Sequence, residues 1–231
     1  MAGDRVLTYA ELDRAANRVA RWLRSRGVGP NVAVSLRVDR TLDVAVGMLG
    51  ILKAGGVYVP IDEAYPSLIA ERLERRGQGW TVVNAGVSGD TSAGGVRRLD
   101  WAIDGGAAVV VVALGGNDGL RGLPVDELAR NLDTIVGRAK ATGATVVVAG
   151  MEAPPNTGPD YTRRFREVFR DVAARHQATL LPFLLEGVAG ETDLNQADGI
   201  HPNREGARRV AEVVWRVLEP VIEARERTTT E

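Results

Sequence analysis

A chain of 231 residues that is 45% hydrophobic can bury a substantial core, as one large domain or two small ones. Lys and Arg number 29 against 30 Asp and Glu, and the formal charge of -1 gives no electrostatic case for binding nucleic acid or an anionic membrane surface. The absence of cysteine removes disulfides, thiolate nucleophiles and Cys-ligated metals together; the two histidines, His176 and His201, stand far apart and outside any HExxH-type spacing, so no metal site is expected.

The opening MAGDRVLTYAELDRAANRVARWL is charged and amphipathic rather than a basic tip followed by an apolar run, so no signal peptide is expected. A helix is predicted over 8–27 with a glycine stop, then a strand in NVAVSL (31–36) and a second helix over 41–56. VYVPID (57–62) reads as a short strand that Pro60 confines to an edge. From about residue 80 the pattern becomes regular. WTVVNAG (80–86), AAVVVVALGG (107–116), ATVVVAG (144–150) and ATLLPF (178–183) are short, β-branched and nearly continuous in apolar character, as strands buried on both faces are. Amphipathic helices are predicted between and after them, over 125–143 with Leu128, Leu132 and Ile135 on one face, over 161–176 and over 204–224. This alternation predicts a parallel sheet covered on both sides, and the polar residues 225–231 are expected to fray. The longest apolar stretch, 107–114, is too short to span a bilayer, so a cytoplasmic protein with no transmembrane segment is expected.

In an open parallel sheet, sites form at the carboxyl ends of the strands. In LGGNDG, Gly115 and Gly116 allow close backbone approach and the amide of Asn117 is a donor that can meet a developing oxyanion. Gly89, in GVSGDTS, can offer a backbone N–H in the same way. In ADGIHPNREG, Asp198 stands three positions before His201, where a carboxylate can orient an imidazole and stabilise its charged form. His176 reads as a helix-terminal residue favoured by the helix dipole.

Taken in order, VVNAGVSGDTSAGG, LGGNDGLRG, LLPF and DGIHPN resemble the SGNH (GDSL-type) hydrolases, in particular the thioesterase, arylesterase and lysophospholipase branch, over about residues 64–222. The resemblance implies a three-layer α/β/α sandwich with a parallel, flavodoxin-like sheet. It also implies hydrolysis of small acyl esters or thioesters through a covalent acyl-enzyme, without a cofactor. On that pattern Gly89 and Asn117 form the oxyanion hole with the nucleophile's own N–H, His201 is the base and Asp198 orients it. The family's serine belongs to a Gly-Asp-Ser block shortly before the AYP stretch, and this chain reads GILKAGG there, with Leu52 near the serine's place. Gly89-Asp90-Thr91 belongs to the family's second block instead.

Residues 7–65 resemble the opening of the adenylation domains of nonribosomal peptide synthetases, in LTYAELDRAANRVARWLRSRGVGP and LKAGGVYVPID; Ala64-Tyr65-Pro66 fits either family. Nothing resembles the phosphate loop or catalytic lysine of adenylation. The expected organisation is an adenylation-domain-like segment over 1–63, a hydrolase-like domain over 64–224 and the tail. NVAVSL or VYVPI is expected in the slot of the family's first strand, because a central gap would leave backbone groups unpaired. The nucleophile stays open: Ser35 ends a predicted strand, Ser88 and Ser92 flank Gly89, and failing these His201 would activate water. The expected function is hydrolysis of carboxylic (thio)esters, such as short-chain acyl, aryl or lysophospholipid esters. The alternative is a catalytically impaired chimeric scaffold or acyl-binding module.

Overall fold

The computed structural model describes residues 7–29, 33–36, 42–55, 57–60, 65–77, 79–103 and 106–230, and the chain divides into two units, Met1–Ala64 and Tyr65–Glu231. In the first unit, helix α1 (Tyr9–Arg24) starts at a capping box: the Thr8 hydroxyl accepts from the Glu11 N–H at 3.3 Å while the Glu11 carboxylate accepts from the Thr8 N–H at 2.8 Å. Strand β1 (Ala33–Leu36), helix α2 (Leu42–Ala54) and strand β2 (Val57–Pro60) follow, β1 pairing with β2 in parallel, Ala33 opposite Val57. Ala20 and Leu23 of α1 pack on Ile51 and Ala54 of α2, and Lys53 bridges to Asp13 and Asn17 across the same face.

The second unit runs α3 (Tyr65–Arg76), α4 (Ser92–Ile103), β3 (Val109–Val112), α5 (Gly116–Leu120), α6 (Val125–Ala141), β4 (Thr145–Ala149), α7 (Pro159–Arg175), β5 (Thr179–Leu181) and α8 (Arg204–Thr230). Its sheet is parallel in the order β3-β4-β5, with Val109 opposite Thr145 and Val147 opposite Thr179. Side chains alternate across a strand, so β4 faces two cores. Val146 and Val148 join Leu99 of α4, Leu132 and Val136 of α6 and Phe165 and Phe169 of α7. Val147 and Ala149 join Ile69 and Leu73 of α3 and Val210, Val214 and Ile222 of α8. This is the expected α/β/α layering.

Three features depart from the sequence expectation. WTVVNAG (80–86) forms no strand: Trp80 and Val82 pack against the α3/α8 core, but Val83 is 78% exposed. A strand exists only through a neighbour that takes its N–H and C=O groups, and among the described residues β3 has such a neighbour only in β4. NVAVSL and VYVPI, by contrast, form strands as expected, β1 and β2, paired with each other. The helices α4 and α5 were not anticipated, their glycines concealing them. The tail is helical over its described residues: α8 continues to Thr230, Trp80 Nε1 donates to Glu226 at 2.8 Å and Arg225 donates to the Gly143 carbonyl at 3.1 Å.

Helix α3 is fastened to α8 by charge and stacking together. Arg72 meets Glu212 at 2.8 Å and Arg76 meets Glu219 at 3.0 Å, while both guanidinium groups lie over the Trp215 ring, 4.5 and 5.6 Å from its centroid. The main core lies on the other face. Leu132 is fully buried there, so Leu132→Ala should destabilise the second unit by about 2–5 kcal/mol, read as a lower denaturation midpoint with unchanged slope.

Candidate active site

His201 sits on the connection from β5 to α8, in a closed loop. Asn195 and Pro202 form an antiparallel bridge, the Gln196 N–H donates to the His201 carbonyl at 2.7 Å, and the buried Asn195 amide donates to the carbonyls of Val188 and Glu191. Asn203 ends the loop and starts the helix, its Oδ1 accepting the N–H groups of Glu205 and Gly206 at 3.0 Å each. Within this frame one Asp198 oxygen accepts the backbone N–H groups of Ile200 and His201 at 3.0 Å, and the other meets His201 Nδ1 at 2.9 Å. An Nδ1–H donated to Asp198 leaves the lone pair on Nε2, which is the form a general base needs. The imidazole and the carboxylate are both substantially exposed.

Asn117 and Gly115 come from the end of β3. Gly115 has φ +105, and a Cβ there would stand 2.9 Å from Phe169 Cζ and 3.1 Å from Leu128 Cδ1, so both conformation and space require glycine before α5. Gly89 has φ +77 in an open turn, the same requirement without crowding. Two contacts join the Gly89 loop to α5: Arg121 Nη2 donates to the Gly89 carbonyl at 2.9 Å, and Ser92 donates twice to Asp118. The connections bearing Asn117 and His201 both leave carboxyl ends of parallel strands and so lie at the same edge of the sheet. Asp118, Ser92 and Arg121 were missed by sequence reasoning as a connected group. Asp118 lies inside the LGGNDG motif, but its partner is 26 positions away and no local pattern joins them.

Of the hydroxyls considered as nucleophiles, Ser92 is fully buried and its Oγ is committed to Asp118 at 2.6 Å, while Ser88 is exposed in the turn before Gly89. Ser35 lies in β1, and its side chain is outside the described residues. Leu52 lies in α2 and is 58% exposed. His176 caps the end of α7, with Nε2 2.8 Å from Asp133. Among the described residues no three His, Asp or Glu side chains converge to hold a metal ion, and no helix is long and apolar enough to cross a membrane.

The GDSL-like Lipase/Acylhydrolase family matches residues 54–209, and the AMP-binding enzyme family matches residues 1–76. Esterase TesA of Pseudomonas aeruginosa is 44% identical over 161 residues, 69% of this chain and 80% of that protein. The thioesterase 1/protease 1/lysophospholipase L1 of Escherichia coli is 32% identical over 176 residues, 76% and 83% of the two chains. The crystal structure of TesA superposes with a TM-score of 0.66 at 45% identity, covering 68% of this chain and 88% of that one. Gramicidin S synthase 2 of Brevibacillus brevis is 62% identical over 60 residues, 26% of this chain and 1% of that protein.

The contacts on Asp198 have a thermodynamic consequence. The two backbone N–H groups, His201's first, and then the imidazole hold its carboxyl well below the ordinary 3.8. A lowered carboxylate value contributes stability that is present above the ordinary value and lost as pH falls through the lowered one. The thermal midpoint of Asp198→Asn should therefore lie below the parent's at neutral pH, and the gap should close below about pH 4. A gap that stays constant with pH contradicts this assignment.

Proposed function

Since this chain belongs to the GDSL-like lipase/acylhydrolase family of SGNH hydrolases, we propose that it hydrolyses carboxylic esters or thioesters, with short-chain acyl, aryl and lysophospholipid esters as the substrate range. The observation that carries this reading is the Asp198–His201 pair, whose 2.9 Å contact through Nδ1 leaves Nε2 as the proton acceptor. Three exposed apolar side chains support an acyl substrate: Val87, Leu120 and Ile200 stand two, three and one positions from Gly89, Asn117 and His201.

In this reading His201 Nε2 takes the proton of an attacking hydroxyl as its oxygen bonds to the ester carbonyl carbon. The charge that moves to the carbonyl oxygen is met by the Gly89 N–H and the Asn117 amide. As the intermediate collapses, the imidazolium returns the proton to the departing alcohol or thiol, and Asp198 stabilises the charged ring meanwhile. The attacking oxygen is the open part of the site. Leu52, near the place where the family carries its serine, has no nucleophilic atom, so the attacker stays open between a serine such as Ser35 or Ser88, by way of an acyl-enzyme, and a water activated by His201.

Leu52 and the 1–76 match to AMP-binding enzymes favour a second reading, a chimeric scaffold or acyl-binding module whose site no longer turns over. Hydrolysis of p-nitrophenyl acetate and butyrate by the full chain, beside His201→Ala, Asn117→Ala and Ser35→Ala, separates the two. Hydrolysis is expected to fall by on the order of 10⁶ in His201→Ala if a nucleophile is in place, and by roughly 10²–10³ in Asn117→Ala. Loss in Ser35→Ala identifies the nucleophile, and its retention alongside loss in His201→Ala points to another serine or to activated water. A parent rate equal to that of His201→Ala sinks the hydrolase reading and leaves the scaffold.

A further inference from the structure

Asp118 is a carboxylate only 3% exposed, and both of its described hydrogen bonds come from one residue. Ser92 donates its N–H to Oδ2 at 2.8 Å and its hydroxyl to Oδ1 at 2.6 Å; Asn131 of α6 donates its Nδ2 to that same hydroxyl at 3.0 Å. A carboxylate is costly to bury unless it is well bonded, so a group placed this deep and bonded this way fixes the elements it joins. Those elements are the first residue of α4 and the middle of α5.

Gly89 lies three positions before Ser92, and Asn117 one position before Asp118. The Gly89 loop is held at further points. Arg121, three residues past Asp118, donates to the Gly89 carbonyl at 2.9 Å and so fixes one of the two peptide planes that meet at Gly89. Arg98 of α4 pairs with Asp90 at 2.6 Å and donates to the Ala85 carbonyl. The negative charge of Asp118 is also felt by Tyr161, whose phenol is pushed up by burial first and by that charge second, and which donates to the Leu123 carbonyl at 2.7 Å just past α5.

We propose that Asp118, through Ser92, and Arg121 are positioning residues: they lock the Gly89 turn to α5, so that the Gly89 N–H and the Asn117 amide stand as a fixed pair of donors before substrate arrives. Donors already in place need no reorganisation when charge develops, which is where such groups gain their effect. The catalytic consequence rests on the ester-hydrolase reading. The lock itself does not.

The test uses the full chain with Asp118→Asn, Ser92→Ala, their double variant, and Arg121→Met, a surface change that keeps the experiment decisive should Asp118→Asn fail to fold. Two readouts are taken, p-nitrophenyl butyrate kinetics and amide hydrogen exchange over 85–91 and over β4. Each single variant should lower kcat roughly 10- to 100-fold with KM little changed, because the interaction lost is one realised in the transition state. The loss in the double variant should fall well short of the product of the two single losses, since both weaken the same Ser92–Asp118 contact. Exchange should quicken over 85–91 and stay slow in β4, and Arg121→Lys, which keeps a donor, should recover part of the loss. If the parent shows no hydrolysis above His201→Ala, the hydrolase reading has failed and exchange alone decides the lock. Unchanged exchange over 85–91, or exchange that quickens equally in β4, overturns the proposal, the latter showing that Asp118 serves only general stability.

Discussion

The second unit depends on the burial of β4 from both sides. Its five residues put Val146 and Val148 into the core under α4, α6 and α7, and Val147 and Ala149 into the core under α3 and α8. No polar side chain fits either face without a partner, so the strand is apolar throughout its buried length, and its position in the middle layer fixes where β3 and β5 must end. The connections that follow those ends carry the candidate site residues. Asn117 leaves β3 and His201 leaves β5 at the same edge because the strands are parallel and their exits therefore coincide.

Around that edge the two groups of candidate residues are built in different ways. The Asp198–His201 pair is local: a turn closed on itself by the Asn195–Pro202 bridge places a carboxylate oxygen against the ring nitrogen, and the Asn203 cap starts the helix that anchors it. The Gly89 and Asn117 side, proposed to meet the oxyanion, is assembled from distant segments. Its Gly89 turn belongs to no strand, and its attachment comes from α4, α5 and α6 through Ser92, Asp118, Asn131 and Arg121. An open, strandless segment before a firmly pinned turn is the arrangement that needs such attachments, because Trp80 to Gly86 has no sheet to hold it.

The matches to the GDSL-like lipase/acylhydrolase and AMP-binding enzyme families overlap over residues 54–76. The division into structural units falls inside that overlap, between Ala64 and Tyr65. Helix α3, which begins there, packs with the second unit: Ile69 and Leu73 enter the α8 core, and Arg72 and Arg76 lie over Trp215 beside Glu212 and Glu219. The first unit has its own small core between α1 and α2 and its own parallel pair, β1 and β2.

Sequence alone determined what short-range rules govern. The runs 107–116, 144–150 and 178–183 hold strands because continuous β-branched apolar stretches have no other stable place, and the amphipathic period over 125–143 is a helix for the same reason. Asp198 and His201 were legible because three residues of spacing bring them together within one turn. Long-range pairing was left to the tertiary structure. WTVVNAG has the composition of a strand, yet strand formation requires a neighbour, and none of the described strands adjoins it. The last turns of α8 look like a frayed tail until Trp80, 146 residues earlier, donates to Glu226. The Ser92–Asp118 bond was invisible for the same physical reason: a polar side chain shows its chemistry in the sequence, but its partner is chosen by the fold that brings two segments into contact.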